Sequence, residues 1–124
     1  MVLDKGFFRL AYNTSLHSDC RVKVGAVVSR KVPISVGFNV IKTHPRYSNP
    51  NTMSSISVHA EMQAILGTWL DIHGCDIYVY RELDDGMPAL ARPCNMCYNV
   101  LRDRGIKKIY YTIDTFPYWK MERL

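Results

Sequence analysis

His59-Ala60-Glu61 and Pro93-Cys94-Asn95-Met96-Cys97 bring one imidazole, one carboxylate and two thiols together in two short strings. Those are the parts of a hydrolytic metal centre. One His and two Cys give Zn²⁺ three protein ligands and leave the fourth tetrahedral position to water, whereas a structural site would want a fourth Cys or His. No second C-x-x-C is present: Cys20 and Cys75 stand apart and read as packing or surface thiols, and His17, His44 and His73 are scattered. Cys94 and Cys97, three apart, share one face of a first helical turn, and Pro93 suits a helix start. The positive end of the helix dipole there favours thiolates. His59, at the mouth of another helix, would complete the triangle.

Glu61 lies two residues from His59 and cannot point the same way along a helix. It is therefore placed beside the metal-activated water, not on the metal. A carboxylate so placed can take the water's proton and deliver it to a ring nitrogen. H-x-E followed by P-C-x-x-C is the pattern of the zinc deaminases, in which water attacks the carbon bearing an exocyclic amine and the Glu protonates the departing ammonia.

Length and composition set wider bounds. A chain of 124 residues is expected to form one domain, spanning 1–124, with a normal core. Apolar residues at 48% and charged residues at 22% belong to a soluble globular protein. No apolar run reaches membrane-spanning length and the N-terminus has no signal-like core, so no membrane partner is expected. Four cysteines, two of them claimed by metal, suggest a reducing compartment, and the cytoplasm is the expected location. Sixteen Lys and Arg against 11 Asp and Glu leave a charge of +5, which favours anionic partners without choosing between a nucleotide and a nucleic-acid strand.

The pattern of apolar residues supplies the elements that would carry the two strings. Leu3, Phe7, Leu10 and Ala11 predict a first helix ending near residues 15–18. Alternation over Val22, Val24, Ala26 and Val28 predicts a strand, and after a break at Arg30 to Pro33 a second runs over 34–41. Lys42 to Ser57 reads as loop. Met62, Ile65, Leu66, Trp69 and Leu70 mark a second helix closed near Gly74. Ile77–Tyr80 is a third strand, 82–92 a loop, 95–104 a third helix stopped by Gly105, and 108–112 a fourth strand, with a short return strand near 118–121. Strand and helix alternating from residue 34 onward predict parallel crossovers and a mixed sheet covered on both faces. The site then falls at strand ends and helix N-termini.

With these residues assembled, the chain resembles the cytidine and deoxycytidylate deaminase superfamily, from Arg21-Val-Lys-Val-Gly-Ala-Val through Gly37-Phe38-Asn39 and the two zinc strings to Gly105-Ile-Lys-Lys-Ile-Tyr-Tyr111. The resemblance implies a three-layer α/β/α sandwich on a mixed sheet of about five strands, Zn²⁺ on His59, Cys94 and Cys97, and Glu61 as acid and base. It also implies that Asn39 reaches the sugar or base, that the backbone at Ala60 and around Pro93 reads the base edge, and that the protein is a homo-oligomer. Asn39 has a second reading, as a turn residue satisfying local backbone. His44 could stack on a base or bind phosphate, or sit in a solvated loop.

The favoured reaction is deamination of a cytosine-type nucleotide, dCMP to dUMP. Deamination of cytosine or adenine in single-stranded DNA or RNA is the alternative. The stretch from Arg81 to Arg92 replaces the compact Thr-Leu-Glu-Pro-Cys string common in nucleic-acid-acting relatives, which weighs toward the free nucleotide. A non-catalytic, zinc-stabilised assembly module is the third reading, against which the carboxylate of Glu61 speaks.

Overall fold

The computed structural model describes residues 3–41, 57–66, 68 and 70–124. Along the chain run α1 (Phe8–Ser15), β1 (Val24–Arg30), β2 (Val32–Phe38), β3 (Val40–Ile41), β4 (Ser57–Val58), α2 (Ala60–Leu66), β5 (Asp76–Arg81), α3 (Asn95–Asp103), β6 (Lys108–Thr112) and β7 (Trp119–Arg123). Five strands form one sheet in the order β2-β1-β5-β6-β7, and β3 pairs with β4 in a separate two-stranded ribbon. Among the described strands β5 and β6 alone pair in parallel; β1 runs antiparallel to both β2 and β5, and β7 antiparallel to β6. Two crossovers follow: β2-α2-β5 steps over β1, and β5-α3-β6 joins neighbours. The predicted mixed sheet of five strands is therefore present.

Period-2 alternation divides the side chains between two faces. Val27, Tyr78 and Tyr80 pack with Phe8 and Ala11 of α1 on one face. Ala26, Val28, Ile77, Val79, Ile109 and Tyr111 pack with Ala60, Ala64 and Ile65 of α2 and Leu101 of α3 on the other. Helices thus cover both faces, giving the three-layer sandwich. Gly37 lets α2 approach β2: a Cβ there would run into the Ala60 carbonyl, the Ala64 amide and, at 2.9 Å, the Ala64 Cα. Ser35 fastens the same contact, its hydroxyl donating to the Ala64 carbonyl at 2.6 Å.

Several expected boundaries differ: β1 starts at Val24 and not Val22, and the strand expected over 34–41 is divided, β2 ending at Phe38 and Val40–Ile41 pairing as β3 with Ser57–Val58, at the end of the expected loop. The first helix starts at Phe8, because Gly6 at φ 53° turns the chain before it. The break expected at Arg30 to Pro33 is a tight hairpin around Lys31 at φ 63°, and β2 runs through Pro33, which an edge strand tolerates. The second helix ends at Leu66, not near Gly74: the Thr68 N–H bonds back to the Ile65 carbonyl, the Leu70 N–H bonds to the Thr68 hydroxyl, and Leu70 is exposed. Among the described residues no helix is long and apolar enough to cross a membrane.

Candidate active site

The two zinc strings meet at the N-termini of α2 and α3. His59 immediately precedes α2, and its carbonyl accepts the Gln63 N–H at 3.0 Å, the first bond of the helix. Cys94 is the N-cap of α3, with extended dihedrals (φ −65°, ψ 167°), and its carbonyl accepts the Tyr98 N–H at 2.8 Å. Pro93 therefore stands one residue outside the helix, not at its first turn, and it is buried. Cys97 lies within that first turn and is fully buried.

His59 Nδ1 is 3.2 Å from Cys97 Sγ and 3.7 Å from Cys94 Sγ, and all three candidate ligand atoms lie within 4.8 Å of one another. A tetrahedral Zn²⁺ with its usual bond lengths needs ligand separations of about 3.5–3.8 Å. The donor set fits in chemistry as well. Burial pushes the Cys97 thiol well up, with Glu61 and Cys94 adding to the effect, so the expected stabilisation of a thiolate by the helix end is outweighed. A cation is what would make that buried sulfur a thiolate.

Glu61 is the second residue of α2 and is 6% exposed. Burial raises its carboxyl above the ordinary range, against the opposing pull of its own backbone N–H and of His59. His59, Ala60, Glu61 and Cys94 line one cavity of about 270 Å³, together with Val24, Asn39, Arg81, Leu90, Ala91 and Arg92. Of the residues singled out in the sequence, Asn39, Ala60, Glu61, His59 and Cys94 thus share a wall, Cys97 sits behind it, and Pro93 is not among the lining residues. His44 lies outside the described residues.

Asn39 is anchored at both ends of its amide. Its Oδ1 accepts the Val24 N–H at 2.8 Å and its Nδ2 donates to the Val22 carbonyl at 2.7 Å. Local backbone satisfaction, the second of its two readings, is therefore real. Each end retains one further hydrogen-bonding position.

The wall from residue 81 to 92 went unrecognised in the sequence. Gly86 at φ 86° turns this segment back on itself, so that Leu83 N–H reaches the Met87 carbonyl at 2.8 Å and Glu82 bridges to Pro88. Thr112 then ties its two ends: the hydroxyl donates to the Ala89 carbonyl at 2.6 Å and accepts the Arg81 N–H at 3.1 Å. Arg92 is held by Glu122, Nε to Oε2 at 2.7 Å, and lies over the Tyr98 ring at 4.8 Å. One signal was available in advance: Arg81 continues the inward alternation of Ile77 and Val79.

Residues 1–113 match the family described as the cytidine and deoxycytidylate deaminase zinc-binding region. The chain belongs to that family. A probable deoxycytidylate deaminase from Caenorhabditis elegans is 31% identical over 118 residues, covering 85% of this chain and 54% of the relative. The chain thus spans about half the length of that protein. The dCMP deaminase of cyanophage S-TIM5 superposes with a TM-score of 0.63 at 24% identity, covering 87% of this chain and 80% of the other. Its complex with dCMP and dUMP superposes with a TM-score of 0.62 at 23% identity, over 86% and 78% of the two chains. The cytidine deaminase of Burkholderia pseudomallei superposes at 0.59 with 17% identity, over 91% and 86%. At these identities the structural likeness establishes the cytidine-deaminase-like fold, and the family description together with the His59, Cys94 and Cys97 cluster identifies Zn²⁺ as the cofactor.

Proposed function

We propose that the chain catalyses hydrolytic deamination of a free cytosine nucleotide, dCMP to dUMP and ammonia. The observation that carries this reading is the opening of a buried carboxylate, Glu61, onto the same small cavity as His59 and Cys94. His59, Cys94 and Cys97 would hold the metal. When bound, Zn²⁺ supplies the Lewis acidity that makes water nucleophilic near neutral pH.

Glu61 performs the proton transfers. It takes one proton from the attacking water and places it on the ring nitrogen next to the reacting carbon, then takes the remaining hydroxyl proton of the adduct and delivers it to the amine, which leaves as ammonia while the new carbonyl forms. A carboxyl raised by burial suits a group that must both accept and return a proton. Ala60 offers backbone groups to the edge of the base, and Asn39 keeps one N–H and one lone pair for a hydroxyl or base edge. Val24, Leu90 and Ala91 supply apolar wall.

The cavity, about 270 Å³, lies just below the usual ligand-pocket range of roughly 300–1,000 Å³ and is of a size for a single base with its sugar. The phage relative solved with dCMP and dUMP supports the same substrate. The test is ammonia release by zinc-loaded protein from cytosine, cytidine, deoxycytidine, CMP, dCMP, dCTP and a short cytosine-containing single strand. Turnover of dCMP above the rest is expected. Turnover of the strand alone, or of nothing in the set, would refute the proposal.

A further inference from the structure

The last residue of β5 breaks a pattern. Ile77 and Val79 point into the core beneath α2 and α3, and the next residue on that face is Arg81, directly opposite Val24 of β1, which packs against the same core. Its backbone is pinned: the N–H donates to Thr112 Oγ1 at 3.1 Å and the carbonyl accepts the Ala89 N–H at 2.9 Å. The strand therefore delivers a guanidinium to a fixed place in the cavity wall.

That cation is poorly satisfied by the fold. Among the described residues its buried Nε has no hydrogen-bond partner, and the side chain's bond to them is a long one, Nη1 to the Leu90 carbonyl at 3.3 Å. Buried donors are nearly always paired, and an unpaired one opposes folding. Arg81 takes part in neither the Arg9–Asp4 nor the Arg92–Glu122 ion pair, and Glu82 and Asp84 line a neighbouring groove with it. Arg92, the other cation of the cavity wall, is committed to Glu122 and to the Tyr98 ring.

Position narrows the ligand. Asn39, Val24 and Arg81 follow one another along the rim of the sheet, since the Asn39 N–H bonds to the Val24 carbonyl at 3.2 Å and Val24 pairs with Arg81. Glu61 is the one carboxylate among the described residues lining the cavity. We infer that Arg81 anchors the 5′-phosphate of the nucleotide and so sets the preference for nucleotide over nucleoside. This rests on the nucleotide-deaminase reading above. The guanidinium tip presents several donors in one plane and matches two phosphate oxygens at once, which a lysine ammonium does not.

The experiment is calorimetric titration of zinc-loaded wild type, Arg81→Gln and Arg81→Lys with dUMP, with deoxyuridine and with a short cytosine-containing single strand, zinc content being measured on each protein. In Arg81→Gln, dUMP should bind roughly 10- to 100-fold more weakly while deoxyuridine changes by less than about threefold, and Arg81→Lys should fall between. A similar loss for both ligands would reduce Arg81 to a piece of cavity wall and overturn the inference. So would an unchanged dUMP affinity, or a dependence on Arg81 seen only with a cytosine-containing single strand. The two proposals fail separately. Arg81-dependent dUMP binding without ammonia release from dCMP keeps the anchor and refutes the deaminase, and dCMP turnover with affinity independent of Arg81 does the reverse.

Discussion

The two faces of the sheet are built from different residues for different ends. The α1 face is aromatic. Phe8 packs edge-on against Tyr78 at 5.2 Å, Tyr12 against Tyr80 at 5.5 Å, and Tyr78 stacks on Tyr110 at 4.4 Å. Large rings fill space and hold α1 in place, and neither the His59, Cys94 and Cys97 cluster nor Glu61 lies there. The α2/α3 face uses Ala26, Gly37, Ala60 and Ala64, whose small size brings α2 close to β1 and β2. Close approach sets where the helix begins, and the helix start carries His59 and Glu61. Gly25 admits α1 to the aromatic face as Gly37 admits α2 to the other, so close approach is common to both, and what differs is that the start of α2 also carries His59 and Glu61.

Substitutions on the two faces should therefore separate stability from chemistry. Phe8→Ala, at a fully buried ring on the α1 face, is expected to cost about 3–5 kcal/mol in urea denaturation. It should leave one Zn²⁺ per chain below the unfolding transition. Gly37→Ala is expected to cost less, about 1–3 kcal/mol, because backbone must shift to admit one methyl. That shift displaces the start of α2, so zinc affinity should fall in metal titrations out of proportion to the stability lost. Zinc affinity equal to wild type in Gly37→Ala would break the contrast between the faces.

The smallest effect is expected where the α2/α3 face meets β7. Arg92 and the Tyr111 hydroxyl both donate to Glu122 and hold its carboxyl below the ordinary range. A folded value below the unfolded one means the stabilisation is present above the ordinary glutamate pKa of about 4.3 and disappears as pH falls through the folded value. Glu122→Gln should thus cost about 0.5–1 kcal/mol at neutral pH for so exposed a pair. The difference from wild type should vanish in acid, as read from denaturation curves across pH.

The same contrast explains what the sequence could tell. The zinc strings were legible because metal chemistry dictates residue type, order and spacing together, and the mixed sheet was legible because alternation and Gly105 mark its strands and helix end. The stop of α2 at Leu66 was not, since Leu70 extends a helical spacing that the chain does not follow. Pro93 reads equally as a first helical residue or as the residue before the cap, and only the extended dihedrals of Cys94 decide. The 81–92 wall was hidden because its ends are joined by Thr112, thirty-one residues from Arg81, and nothing local announces that contact. Arg81 itself was visible as a charge at an inward strand position, a local misfit of the kind that functional sites carry.

In the proposed reaction Glu61 moves the protons, in a cavity where His59, Cys94 and Cys97 would hold the metal. The direct measurement is ammonia release from dCMP by zinc-loaded wild type and Glu61→Gln, with metal content determined on the same samples. The expected result is one Zn²⁺ per chain in both proteins, with turnover in the variant reduced roughly 10²- to 10⁴-fold. Turnover by Glu61→Gln at the wild-type rate, or no ammonia from zinc-loaded wild type, would contradict it.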